Sequence, residues 1–171
     1  MRVKISARRV LRHLLSLPDS VRRALPAASL DRIAQAIHQA EAGHQGEIRF
    51  AIEARLPWSY LRRNARARER ALMVFSKLRV WDTEHNNGVL LYLNLADRAV
   101  EIVADRGIAA HVQRGQWQAI CHLAREHFRQ GRIEAGAIAA IEAIGAVLAE
   151  HFPLAPGQKR GNELPDQPAI L

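Results

Sequence analysis

The stretch Trp81–Gly107, WDTEHNNGVLLYLNLADRAVEIVADRG, decides the fold. "VLLYLNL", residues 89–95, starts without any polar alternation, which marks a strand buried on both faces. "AVEIVA", residues 99–104, reads as a second strand, and the short "ADR" link between them predicts an antiparallel hairpin. Upstream, in "EIRFAIEA", Ile48, Phe50 and Ile52 alternate with Glu47, Arg49 and Glu53. That period of two predicts a half-buried strand. Between this strand and the hairpin lies a helical pattern from about Tyr60 to Leu78. Ala71, Val74, Phe75 and Leu78 face inward on it, while Arg62, Arg66 and Arg70 recur every four residues on the wet side. A helix between consecutive strands implies a parallel pair. The sheet is therefore mixed: one parallel pair and one hairpin.

The flanks are helical. Ser29 is placed to cap a helix with Leu30, Ile33, Ala34 and Ile37 on one stripe. Two helices follow the hairpin, from about Gly115 to Arg129 and from about Ile133 to Phe152. Gly136 and Gly145 on the second allow close packing. Three regions result: a basic leader over 1–27, partly helical or flexible; an α/β domain over 28–152; and a disordered tail over 153–171, rich in proline and glycine and without periodicity.

The chain has 171 residues, 49% of them apolar, enough for one domain with a core. Its one cysteine, Cys121, sits on an apolar stripe with Ile120 and Ala124, so a buried thiol is expected and an internal disulfide is excluded. No run reaches the ~18 apolar residues of a membrane span. His13 and Ser16 interrupt "LRHLLSL", so a signal-peptide core is missing, and a cytoplasmic chain peripheral to the membrane is expected. The formal charge of +8 is concentrated: residues 1–26 carry +6 and "LRRNARARER", residues 61–70, carries +4. Such runs are solvated faces or attract anions, and residues 1–26 suit an anionic membrane surface. Nucleic acid is not the expected partner, because aromatic residues do not interleave with the basic ones.

Polar chemistry gathers at one end of the sheet. Residues 81–88 enter the second strand and Asp105-Arg106-Gly107 leave the third, which runs the opposite way. The entry to the first strand, with Glu41, His44 and Glu47, joins them if the first two strands are parallel. One rim would thus collect Glu41, His44, Asp82, Glu84, His85, Asn86, Asn87 and Asp105. Mixed carboxylate and amide oxygens suit calcium or magnesium, with Asp82, Glu84, Asn86, Asn87 and Asp105 as the ligand set. The same residues also suit turns. Asn87-Gly88 would supply a positive φ, Asp105 would cap a following turn with Gly107 in the left-handed region, and His44 and His85 would be exposed loop residues. The spacing is not that of an EF-hand, and Walker, dinucleotide-binding and nucleophile-elbow motifs are absent.

"EIRFAIEARL", "RARERALMVFSKLRVWDTEHNNGVLLYL" and "ADRAVEIVADRGI" resemble the TPM-domain family, over about residues 28–152. That is the domain of thylakoid-lumen acid phosphatases and of bacterial membrane-anchored proteins. The resemblance implies a Rossmann-like three-layer α/β/α sandwich, a divalent-cation site at the loop rim and, in some relatives, weak phosphatase activity. Other relatives are accessory subunits of membrane complexes, so a membrane-associated protein partner is implied here. Asp82, Asn86, Asn87 and Asp105 match the motif loops; Arg68 and Ala71 match the helix before them. Many relatives carry a Gly-Tyr-Gly-like turn where this chain has Asp105-Arg106-Gly107. The resulting expectation is a cation-binding accessory domain, with a cation-assisted phosphomonoesterase as the alternative.

Overall fold

Residues 88–94 and 99–104 form the hairpin that the sequence predicts. The computed structural model describes residues 6–17, 19–158 and 161–171. Its elements in chain order are α1 (Ala7–Leu15), α2 (Ser20–Ala24), α3 (Ala27–Glu41), β1 (Glu47–Glu53), α4 (Trp58–Arg62), α5 (Ala67–Lys77), β2 (Gly88–Asn94), β3 (Ala99–Ala104), α6 (Arg106–Ala109), α7 (Arg114–Arg129), α8 (Ile133–His151) and β4 (Ala169–Ile170). Within the expected leader, residues 1–5 and 18 lie outside the described residues; the rest holds α1 and α2. Among the described residues no helix is long and apolar enough to cross a membrane.

The sheet is open and mixed, with strand order β3-β2-β1-β4. β1 and β2 pair in parallel from Glu47↔Gly88 to Glu53↔Asn94. β2 and β3 pair antiparallel from Val89↔Ala104 to Asn94↔Ala99. Helices cover both faces, which is why every residue of β2 is buried. On one face Phe50, Leu91 and Ile102 pack against Ile37, Ile120, Ile141 and Ile144 of α3, α7 and α8. On the other, Leu90, Tyr92 and Val103 meet Ala71 and Val74 of α5 and, from the far end of the chain, Leu164. Cys121 is buried in the first of these cores, and burial pushes its thiol up to about 11.

Four expectations change. First, β1 is buried at every residue rather than along one face. Its polar row is covered: Glu53 accepts from Arg70 at 2.6 and 3.1 Å and from the Tyr92 hydroxyl at 2.6 Å. Second, the tail over 153–171 is not disordered where described. Residues 161–171 return along β1, Leu164 is buried, and β4 pairs in parallel with β1 at Ala51↔Ala169 and Ile52↔Ile170. Arg49 donates to the carbonyls of Pro165 and Gln167, and Glu47 accepts from the Leu164 N–H at 3.2 Å. The Glu47–Arg49 half of the polar row that looked solvated is the tail's binding surface. Third, the helix over 60–78 is broken into α4 and α5 at Asn64, which takes a φ of 52°. Arg70 then turns inward to Glu53, away from the wet side. Fourth, α3 starts at Ala27 with Pro26 at its N-cap, so Ser29 lies inside the first turn and caps nothing.

Candidate functional site at the sheet rim

Three chain crossings meet at the start of β2. The Glu47 N–H donates to the Asn87 carbonyl at 3.1 Å, tying the entry of β1 to that of β2. The Asp105 N–H donates to Gly88 O at 2.9 Å, and the Gly107 N–H to Asn86 O at 3.0 Å. The antiparallel third strand thus delivers Asp105 opposite Gly88, the residue after Asn87, as the topology requires. Two glycines allow the approach. A Cβ on Gly88 would stand 2.0 Å from Val80 O, and one on Gly107 would stand 2.6 Å from Asn86 O. Neither glycine is in the left-handed region; the positive φ expected of Asn87-Gly88 falls on Asn86, at 53°.

Asn87 is fully buried. Its backbone N–H donates to Thr83 Oγ1 at 3.1 Å and its Nδ2 to Gln45 O at 2.6 Å, while its Oδ1 has no hydrogen-bond partner. Asp105 is 9% exposed. Its Oδ1 accepts from the Arg106 N–H at 2.7 Å, capping α6, and its Oδ2 is buried without a hydrogen-bond partner. Capping thus occupies one oxygen of Asp105 and leaves the other. Two oxygens, one amide and one carboxylate, are therefore desolvated at the rim, and an unmet buried acceptor costs about 1–3 kcal/mol.

The other predicted residues divide. Asn86 is half-buried and its Oδ1 accepts from Arg106 Nε at 3.0 Å. Asp82 is exposed, its carboxylate 3.9 Å from Arg79. Glu84 is exposed, and its backbone N–H donates to the Glu163 carboxylate at 2.9 Å. His85 is exposed as expected. His44 is not: it is fully buried and its Nδ1 accepts from the Gly46 N–H at 3.1 Å. Glu41 is also buried, and its carboxylate accepts from the Ile48 N–H at 2.6 Å. Both fasten the entry to β1. Among the described residues no three His, Cys, Asp or Glu side chains converge as a metal ion would need. The rim oxygens left without a hydrogen bond are Asn87 Oδ1 and Asp105 Oδ2, both of the hard class that suits calcium or magnesium rather than zinc.

Two contributors escaped sequence reading. Thr83 looked like a loop residue, yet it anchors Asn87. Glu163, 79 positions beyond Glu84, carries no local signal at all. It helps close a hollow of about 130 Å³ lined by Gln45, Glu84, His85, Leu154, Gln158 and Glu163.

Comparison with known proteins agrees with this architecture. The chain is similar to BA42, a protein from the psychrophilic bacterium Bizionia argentinensis solved by NMR: 30% identity and a TM-score of 0.75, covering 86% of this chain and 95% of that one. The N-terminal domain of a P. gingivalis protein, also solved by NMR, shares the fold at 22% identity and a TM-score of 0.59, covering 75% and 78%. No curated protein matches. The family model of the TPM domain matches residues 22–147, and the chain belongs to the TPM domain family.

Proposed function

We propose that the rim binds a divalent cation, calcium or magnesium, and that the domain is a cation-binding accessory module for a membrane-associated partner. The observation that carries the reading is the pair of buried, unpaired oxygens, Asn87 Oδ1 and Asp105 Oδ2. Asn86, Asp82 and Glu84 stand on the same loop; to join the ligand set Asn86 would release Arg106, and Asp82 and Glu84 would turn in from solvent. A bound cation would neutralise the buried carboxylate and offer a Lewis-acidic point to an anionic group. Asn87 and Asp105 are held by backbone bonds, so they would need little reorganisation. The partner is implied by the family resemblance.

Titration with calcium and with magnesium, followed by amide NMR shifts, tests the reading. Shifts confined to residues 82–88 and 105–107 are expected. Asp105→Asn keeps a capping oxygen but removes the charge, and weakens binding by about tenfold or more. Unmoved signals at those residues at millimolar cation would remove the site. A second reading is hydrolysis of a phosphate monoester at the same rim, favoured by the exposed Arg106 guanidinium beside Asp105. Cation-dependent release of a chromogenic phosphate ester, lost in Asp105→Asn, would support it; equal background rates would reject it.

A further inference from the structure

α1 is fastened to the body by its polar residues. Arg9 donates to both oxygens of Asp97, with Nη2 at 2.7 Å and Nε at 3.0 Å, to Asn64 Oδ1 at 2.8 Å and to the Ala65 carbonyl at 2.7 Å. His13, four residues on and fully buried, sets Nε2 2.9 Å from Asp97 Oδ1, while its Nδ1 accepts from the Leu56 N–H at 3.1 Å. With Arg9 and His13 turned in, the leucines are turned out. Leu11, Leu14 and Leu15 share the i, i+3, i+4 face and are 56%, 57% and 70% exposed. Leu17 continues the patch. Trp58, 59% exposed, begins α4 across an open hollow of about 580 Å³ from Leu14. This inverts the ordinary soluble helix, which buries leucine and exposes arginine.

Charge identifies what covers this face. Arg8 and Arg12 flank the leucines on α1, and Arg55 lines the hollow; all three are exposed. Asp97 is engaged by Arg9 and His13, with the half-exposed Arg12 at 3.7 Å, and Asp19 lies beyond Leu17. A second copy meeting the face across a two-fold axis would set Arg8 and Arg12 against their own equivalents. An anionic bilayer offers apolar depth for the leucines, negative headgroups for the arginines and an interface for tryptophan. Nine helical residues span only about 14 Å, so α1 would lie in the plane of the surface.

We propose that the outer face of α1 together with Trp58 docks this protein in-plane on an anionic lipid surface. Asp97 lies in the β2–β3 turn, at the opposite end of β2 from Asn87 and Gly88. Docking through α1 therefore holds the rim about 20 Å from the membrane end of the sheet, the length of a seven-residue strand.

Flotation of the full chain with vesicles of phosphatidylcholine, alone or mixed with phosphatidylglycerol, tests this without added cation and so independently of the rim. Binding to the mixed vesicles at low salt is expected, with loss at high salt. Leu14→Ser/Leu15→Ser abolishes it, and each of Arg8→Gln and Arg12→Gln weakens it by roughly fivefold. Brominated lipid should quench the wild-type emission but not that of Trp58→Phe, which reports contact without disturbing α1. Failure to float with the mixed vesicles, or equal binding by wild type and the leucine variant, would overturn the proposal. So would a wild-type dimer that the leucine variant breaks, since the face would then belong to a second copy.

Discussion

Gly107 shows how a single residue decides whether the rim assembles. The sequence places it after Asp105 as a turn residue, and a left-handed φ is the usual reason for such a glycine. Its reason here is space, because the 85–86 backbone crosses where a side chain would stand. That cannot be read locally, since Asn86 is 21 positions away and arrives only through strand pairing. Gly107→Ala should destabilise by about 1–3 kcal/mol, because the obstacle is backbone and cannot rotate aside. Gly115 is the control: an added Cβ meets nothing within 4 Å. At that exposed helical position alanine should be neutral or stabilising by up to about 1 kcal/mol. Urea unfolding of both variants checks the contrast, and equal midpoints would mean that the crossing is not tight.

α1 carries the corresponding lesson for an element. Its basic character was legible, but which residues face inward was not, because an apolar stripe ordinarily marks the buried side. The deciding partner, Asp97, sits in a three-residue link that reads as plain turn chemistry. Burial alone would raise the Asp97 carboxyl, but the hydrogen bonds from Arg9 and His13, with the Arg9 charge, hold it below the ordinary carboxylate range. A carboxyl depressed on folding contributes stability that is present above its unfolded value, about 3.9, and is lost as pH falls through its native value. The docking of α1 should therefore loosen in acid. Hydrogen exchange of residues 7–15 measured against pH would show protection falling below about pH 4. Asp97→Asn keeps the shape but removes the charge, and should lower protection at neutral pH and flatten the acid limb. Arg9, Arg12 and His13 face the same carboxylate, so the variant isolates its share. Acid-independent protection in the wild-type chain would refute the latch.

For the whole molecule, the parallel pair followed by a hairpin was written in the spacing of strands and helices, and it brings Asn87 and Asp105 together at one rim. What stayed hidden was a reciprocal pair: the polar row of β1 and the aperiodic tail each look solvated, and each covers the other. Local periodicity cannot report a contact between residues 49 and 165 when one of them sits among prolines. The tail ties three parts of the protein at once, through Arg49 in the sheet, Leu164 in the core and Glu163 at the Glu84 loop. Removing residues 163–171 would expose the free edge of β1 and leave Glu47 and Arg49 without their tail partners. The loss of Leu164 burial, at about 1.5–3 kcal/mol, and of several hydrogen bonds, at about 1 kcal/mol each, predicts a large drop in stability. An unpaired β1 edge also invites intermolecular strand pairing, so the truncated chain should aggregate in a concentration-dependent way. Urea midpoints and light scattering of the two chains measure both effects. A truncated chain that melts with the full one and stays monomeric would show that the last strand is an ornament of the sheet and not one of its supports.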